Sequence, residues 1–135
     1  MPTTETRGHL LVVEDDPAVA RVISTILTRD GFSVVTALSG TDAMQLLDER
    51  FDAMVLDLRL PGMRGDAFYY AATARQPWLT TRVLFLSGYI DETAEMIIAE
   101  TGCRGMQKPF EIPLFLEAMR AMAPVRRATP LPRVG

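Results

Sequence analysis

Short apolar runs alternate with amphipathic stretches along most of this chain. Strands are predicted from apolar runs at 10–13, 32–37, 53–56 and 83–86, and a weaker fifth strand is predicted at 104–108 before Pro109. Each run is followed by a stretch whose apolar residues recur three and four positions apart, as in a helix that packs one face on a core. The first such stretch contains Val19, Val22, Ile23, Ile26 and Leu27. The alternation predicts five successive strand and helix units.

Residues with strong backbone preferences mark the ends of these helices. Pro17 opens the first helix, and Gly31 follows its end as a C-terminal cap does. Asp91 begins the fourth helix, Gly102 stops it, and Pro113 falls in the first turn of the fifth. These signals agree with the hydrophobic pattern on where the helices lie.

The order of elements predicts an α/β fold. Strands that are apolar throughout and joined by helix-length crossovers are typical of a doubly wound parallel sheet with helices on both faces. We expect no antiparallel hairpin, and one domain over residues 9–122. Residues 1–8 and the tail at 123–135, rich in proline and arginine, show no periodicity and are predicted to be flexible.

Composition narrows the class of protein. The 135 residues are enough for one domain, and 48% hydrophobic residues with a net charge of −3 favour neither a nucleic-acid binder nor a membrane-surface protein. No apolar run approaches the roughly 20 residues of a membrane span. Cys103 is the one cysteine, which suggests a cytoplasmic protein, and His9 is the one histidine, which disfavours Ser-His-Asp, Cys-His and most zinc sites.

Polar residues collect where the predicted strands end. Glu14 and Asp15 follow the first strand, Asp57 the third, Ser87 the fourth, and Lys108 ends the fifth. A single carboxylate at such a place more often caps a helix, but three on two adjacent strands point to a site in the crevice beyond the sheet. Carboxylates held together repel one another unless a cation offsets their charge, and an oxygen-only ligand set suits Mg²⁺.

Asp57 is the candidate nucleophile of this site. It ends the most apolar strand and precedes a loop with Pro61 and Gly62, which leaves its side chain facing the crevice. Aspartate forms acyl phosphates, provided that donors hold the phosphoryl oxygens. The Ser87 hydroxyl and the Lys108 ammonium group can act as such donors, although each alone is more often a turn hydroxyl or a solvated strand end.

Four segments resemble signatures of response-regulator receiver domains, in the family order. They are Leu-Val-Val-Glu-Asp-Asp-Pro at 11–17, Val-Leu-Asp-Leu-Arg-Leu-Pro-Gly-Met-Arg-Gly at 55–65, Leu-Ser-Gly-Tyr at 86–89 and Gln-Lys-Pro-Phe at 107–110. The resemblance runs from about Leu10 to Met122. It implies a flavodoxin-like sheet with strand order 2-1-3-4-5, and a phosphoacceptor, not an enzyme with an independent substrate, served by a histidine kinase or histidine phosphotransfer protein.

The resemblance also implies residue roles. Mg²⁺ is expected on Asp15 directly, on Glu14 largely through water, on Asp57 and on the backbone carbonyl of Arg59. Asp57 is the phosphoacceptor, and Ser87 and Lys108 bind phosphoryl oxygens. The Lys108-Pro109 peptide is expected to be cis, as in the family.

The fifth strand departs from the family pattern. Most relatives carry Tyr or Phe three residues before the lysine, where this chain has Gly105. In the common scheme, the hydroxyl at Ser87 and that aromatic ring move together and reshape the face of helix four, strand five and helix five. Without the ring, Tyr89 is either a substitute switch or a half-exposed loop residue. The stretch Phe-Leu-Ser-Gly-Tyr at 85–89 resembles a receiver subgroup in which glycine follows the strand-four hydroxyl and the strand-five aromatic residue is also lacking.

Phosphorylation-dependent signalling is the favoured function. A phosphorylation-independent docking or dimerisation module is the alternative, supported by Gly105 alone. An aspartate-nucleophile phosphatase needs Asp-x-Asp after the first strand, where this chain has Glu-Asp-Asp. A DNA-binding regulator would need a further domain, which we do not expect in these 135 residues, and we expect no direct contact with nucleic acid or membrane. Met1 with its short lead favours a single-domain regulator over part of a hybrid kinase, and a downstream protein target or a homodimer is compatible with the sequence.

Overall fold

Five parallel strands form the central sheet. The computed structural model describes residues 5–123 and 126–127, with side chains described for 7–123. We number the strands β1 (His9–Val13), β2 (Ser33–Ala37), β3 (Ala53–Asp57), β4 (Val83–Ser87) and β5 (Arg104–Gln107). Their order in the sheet is β2-β1-β3-β4-β5, and every pairing is parallel. The predicted strand order 2-1-3-4-5 is confirmed.

A helix follows each strand, as the periodicity predicts. The helices are α1 (Pro17–Arg29), α2 (Gly40–Met44), α3 (Gly65–Arg75), α4 (Glu92–Thr101) and α5 (Ile112–Met122), with a 3-10 turn at Pro77–Thr81 that the sequence did not indicate. The regular part of α2 ends at Met44 although its apolar pattern continues to Leu47. None of the described helices combines the length and apolar character needed to cross a bilayer.

The helix ends follow the local signals. The Asp16 carboxylate caps α1 by accepting from the Ala18 amide at 2.9 Å, and Pro17 is the first helical residue. Gly31, one position past the C-cap of α1, and Gly102, the C-cap of α4, have φ of 100° and 72°, values that residues with a Cβ rarely adopt. These glycines fix where the two helices stop.

The three central strands, β1, β3 and β4, are buried on both faces, between two layers of helices, whereas the edge strands β2 and β5 are partly exposed. On one face, Leu11 and Val13 pack with residues from α2, α3 and α4; on the other, Leu10 and Val12 pack with residues from α1 and α5. Cover on both faces explains why the central strands are apolar at nearly every position and not only at every second one. The polar residues are left to the strand ends.

The two chain ends come together in a second, very short sheet. Glu5–Thr6 pairs antiparallel with Arg126–Arg127. Both segments were predicted to be flexible, and they carry no hydrophobic pattern because pairing of extended backbones needs none. The other parts of the predicted flexible ends, at 1–4, 124–125 and 128–135, lie outside the described residues.

Candidate functional site

The carboxyl ends of β1, β3, β4 and β5 meet at one edge of the sheet. Glu14 follows β1, Asp57 ends β3, Ser87 ends β4, and Lys108 follows β5. Carboxylate oxygens of Glu14, Asp15 and Asp57 all lie within 4.8 Å of one another. Parallel pairing brings strand ends to the same edge, so residues 94 positions apart in sequence contact each other here.

Lys108 bridges the two buried carboxylates. Its Nζ donates to Glu14 Oε1 at 2.6 Å and to Asp57 Oδ2 at 2.9 Å. Two backbone features position the Lys108 side chain toward these carboxylates. The Lys108 amide donates to the Ser87 carbonyl at 2.7 Å, and the Lys108-Pro109 peptide is cis, as predicted. The lysine thereby joins the fifth strand to the acidic residues on the first and third.

The site holds more negative charge than Lys108 can neutralise. Glu14 and Asp57 are 1% and 3% exposed, whereas Asp15 is exposed. The pKa of Glu14 is raised to about 7, chiefly by burial and in addition by the neighbouring Asp15 and Asp57, and the hydrogen bonds from Lys108 and the Asp16 amide limit this rise. Burial alone would lower the pKa of Lys108, but its hydrogen bonds to Glu14 and Asp57 outweigh that effect and raise it.

A divalent cation fits this arrangement. If all three carboxylates were ionised, the single ammonium group of Lys108 would leave two negative charges uncompensated, and all the candidate ligand atoms are oxygens. That donor set favours Mg²⁺ or Ca²⁺ over zinc or copper. Glu14, Asp15 and Asp57 are therefore residues that could hold a metal ion.

The loop after β3 folds tightly against Asp57. The Arg59 amide donates to Asp57 Oδ1 at 2.8 Å. At Gly65, the first residue of α3, a Cβ would lie 2.5 Å from the Asp57 carbonyl oxygen and 2.8 Å from the Leu58 Cα. Because both neighbours are backbone atoms, glycine is needed there for α3 to begin so close to Asp57.

The Ser87 hydroxyl is engaged by the turn that follows it. Ser87 Oγ donates to the Tyr89 carbonyl at 2.7 Å and accepts from the Tyr89 amide at 3.3 Å. The Tyr89 side chain is 65% exposed. The structure thus brings Ser87 to the edge of the site and leaves Tyr89 on the surface beside it, and the roles predicted for both stay predictions.

A residue of α4 fills the space beside Gly105. A Cβ on Gly105 would lie 2.2 Å from Cδ1 of Ile98 and 2.9 Å from its Cγ1. The glycine in β5 therefore admits the Ile98 side chain against the strand. The hydrophobic pattern marks Ile98 as a core residue of its helix, but it does not reveal this contact with a particular strand position.

An ion pair joins the loop after β3 to the start of α4. Arg59 Nη2 donates to Asp91 Oδ2 at 2.9 Å across a crevice of about 330 Å³ that Ser87 also lines. From the sequence, the Arg59 carbonyl was predicted to bind the metal and its side chain to be free to influence access to a phosphoryl group, and Asp91 was predicted only to begin a helix. The pairing of the two side chains was not predicted. The available signal was a pair of opposite charges just beyond the ends of adjacent strands.

Fold and site define a doubly wound domain with an acidic crevice at the carboxyl edge of its sheet. The family model of the response regulator receiver domain matches residues 10–120. The chain is 34% identical over 122 residues to the transcriptional regulatory protein KdpE of Mycobacterium tuberculosis and 32% over 127 residues to TcrA of the same organism, with 89% and 93% of the chain covered. The chain belongs to the response regulator receiver domain family, the receivers of two-component systems.

Solved structures agree on the fold. A CheY-like receiver domain protein from Methanospirillum hungatei covers 84% of this chain and 90% of its own, at a TM-score of 0.77 and 22% identity. The receiver domain of the sensor histidine kinase PA1611 from Pseudomonas aeruginosa covers 86% and 97%, at 0.76 and 21%. The chain spans about half the length of KdpE and TcrA, 52% and 48%.

Proposed function

We propose that this chain accepts a phosphoryl group on Asp57 from a histidine kinase or histidine phosphotransfer protein, in the presence of Mg²⁺. The observation that carries the proposal is the Lys108 bridge between Glu14 and Asp57 beside a third carboxylate. A buried, negatively charged crevice of this kind is costly for stability and is explained by a cation and a phosphoryl group that use it. The PA1611 receiver domain is described with a magnesium ion coordinated in its active site cleft.

The chemistry follows from the positions of the side chains. A carboxylate oxygen of Asp57 attacks the phosphorus of a phosphohistidine; an O–P bond forms, the P–N bond breaks, and the imidazole nitrogen keeps the electron pair and takes up a proton. Lys108 exchanges its bond to Asp57 for one to a phosphoryl oxygen, and the Ser87 hydroxyl rotates to donate to another. Asp15, Asp57, the backbone carbonyl of Arg59 and, largely through water, Glu14 would hold Mg²⁺, which would offset the charge of the phosphoryl group.

The acyl phosphate is the signal and not a step in turnover of another substrate. Receiver domains are generally not enzymes, and this one catalyses at most its own phosphorylation and dephosphorylation. We propose that the phosphoryl group alters the face made by α4, β5 and α5, which then meets a downstream protein or a second copy of the chain. The proposed compartment is the cytoplasm.

An apolar groove beside the site is the proposed docking place of the phosphodonor. It has a volume of about 520 Å³ and lies between α1 and the segment that joins β5 to α5. Lys108 lines the groove and also contacts Asp57, while Val22 and Ile112 are 56% and 48% exposed there. A protein that delivers phosphohistidine to Asp57 has to contact a surface that borders the crevice, and this groove does.

Intact mass measurement tests the acceptor directly. Incubated with Mg²⁺ and acetyl phosphate, the wild-type chain is expected to gain one phosphoryl group, and Asp57→Asn to gain none. Asp66→Asn, the same change in α3, is the control and is expected to behave as wild type. The proposal is overturned if the wild type gains no mass from acetyl phosphate or from any member of a panel of purified histidine kinases.

Thermal unfolding tests the metal. Mg²⁺ that binds only the folded chain is expected to stabilise it by about 2.7 kcal/mol at one hundred times its dissociation constant. The Asp15→Asn variant is expected to show a smaller increase in Tm, because a ligand is weakened. An equal increase for both proteins would place the ion elsewhere.

The alternative of a phosphorylation-independent docking module is not favoured. Gly105 removes the family's aromatic ring, but it leaves the acidic residues and Lys108 intact. A scaffold gains nothing from three carboxyl groups crowded into a crevice beside a single ammonium group.

A further inference from the structure

We propose that Arg59 and Asp91 form a latch between the loop after β3 and α4, and that the phosphoryl group on Asp57 opens it. The proposal rests on the proposed function of Asp57 and assigns the step by which phosphorylation reaches the surface in a receiver that lacks the strand-five aromatic. It concerns the side chain of Arg59, which acts as a positioning residue.

Arg59 is placed to respond to a change on Asp57. It lies two residues after the acceptor, and its amide already donates to Asp57 Oδ1 at 2.8 Å. Its side chain lines the same crevice as Ser87 and Asp91. A phosphoryl group on Asp57 therefore brings additional negative charge close to the start of this side chain.

The pair is weak enough to be exchanged. The Arg59 and Asp91 side chains are 61% and 39% exposed, so their attraction is screened by solvent. A phosphoryl group carries more charge than a carboxylate and offers several acceptor oxygens in the geometry that guanidinium groups bind best. Phosphorylated Asp57 is therefore a stronger partner for Arg59 than Asp91 is.

Asp91 has two functions that are coupled through one carboxylate. Oδ2 accepts from Arg59, and Oδ1 caps α4 by accepting from the Ala94 amide at 2.9 Å. When Arg59 binds the phosphoryl group instead of Asp91, the Asp91 carboxylate keeps only its hydrogen bond to the Ala94 amide. The ion pair that joins the first turn of α4 to the loop after β3 is then lost. The change at Asp57 is thereby felt at the N-terminus of α4.

The contact between Ile98 and Gly105 passes that change to the sheet edge. Ile98 lies in the middle of α4, and its Cδ1 occupies the space that a side chain on Gly105 would need. A displacement of α4 therefore moves a group packed directly on β5. In this chain α4 thus replaces the missing aromatic ring as the element that transmits the change at Asp57 to β5.

NMR shifts of the α4 amides test the latch. Asp91→Asn keeps an N-cap residue of equal quality but removes the charge that holds Arg59. In this variant the unphosphorylated α4 amide shifts are expected to move toward the wild-type phosphorylated positions. When Mg²⁺ and acetyl phosphate are added to this variant, its α4 amide shifts are expected to change by less than about half of the wild-type change. The reason is that the variant already populates the open state before it is phosphorylated.

Two further variants separate the latch from other effects. Glu92→Gln removes the same charge from the adjacent position, where no hydrogen bond or ion pair joins the side chain to the described residues, and it is expected to match wild type. Arg59→Gln is expected to reproduce the α4 shifts of Asp91→Asn, and the double variant to add little to either. Unchanged α4 shifts in Asp91→Asn, or equal shifts in Glu92→Gln, would overturn the latch.

Intact mass measured on the same samples distinguishes the two proposals. Asp91→Asn is expected to reach the wild-type extent of phosphorylation, because Asp91 contacts neither Asp57 nor Lys108. Phosphorylated wild type with α4 shifts identical to those of unphosphorylated wild type would refute the latch and leave the acceptor function standing. An unphosphorylated wild type would overturn the acceptor function itself.

Discussion

Gly65 offers a sharp test of how tightly the chain is packed against the backbone of Asp57, the proposed phosphoacceptor. The change is Gly65→Ala, the addition of a single methyl group at the first residue of α3. That methyl group would lie 2.5 Å from the Asp57 carbonyl oxygen and 2.8 Å from the Leu58 Cα. Neither neighbour is the end of a flexible side chain, so the contact can be relieved only if the backbone of Asp57 and Leu58 moves.

The magnitude follows from two opposing effects. Overpacking in a well-packed region costs about 1–3 kcal/mol, and a clash with backbone belongs at the upper end. Alanine in a helix regains at most about 1 kcal/mol over glycine. The expected net loss is about 2 kcal/mol in the free energy of unfolding, or about 8 °C in Tm for a domain of this size. Displacement of Asp57 is also expected to slow phosphorylation by at least about tenfold.

Urea unfolding followed by circular dichroism measures the first effect, and the initial rate of phosphorylation by acetyl phosphate measures the second. The control is Gly88→Ala, since a Cβ on Gly88 meets no atom within 4 Å. Its free energy of unfolding is expected to stay within about 1 kcal/mol of wild type. If Gly65→Ala unfolds at the same urea concentration as Gly88→Ala, the close approach of α3 to Asp57 is refuted.

Three other changes test the remaining parts of the structure. Lys108→Met leaves two buried carboxylates without their cation and is expected to cost about 1–3 kcal/mol in urea unfolding with EDTA, less than a fully buried pair because the lysine is partly exposed; an unchanged midpoint would contradict this role of the bridge. Hydrogen bonds from Arg120 hold the pKa of Asp30 below its usual value, so the stability they give is present above the unfolded pKa and is lost as the pH falls through the folded pKa. Arg120→Gln should therefore be less stable than wild type at neutral pH, with the difference vanishing in acid; a difference that grows in acid would have the wrong sign. Val22→Glu should slow phosphorylation by the most active kinase of a purified panel but not by acetyl phosphate, whereas Tyr70→Glu, equally exposed on α3, should affect neither.

The sequence by itself determined the class of fold and which strand-end residues gather at the candidate site. Strands that are apolar at every position require cover on both faces, and helix-length crossovers require parallel strands, so the layered architecture follows from local pattern. Polar residues at the ends of such strands necessarily gather at one edge. Glu14, Asp57, Ser87 and Lys108 could therefore be grouped before any coordinates were known.

Only the tertiary structure decided how these residues differ from one another and what they contact. Glu14 is buried and Asp15 is exposed although they are neighbours in sequence, because burial depends on the strands and helices that surround each side chain. The Lys108 bridge and the Arg59 and Asp91 pair join residues far apart in the chain, which no local periodicity specifies. Gly105 appeared from sequence as a missing aromatic ring; the packing of α4 on β5 shows that Ile98 fills that place, since shape complementarity between elements is set only when they are assembled.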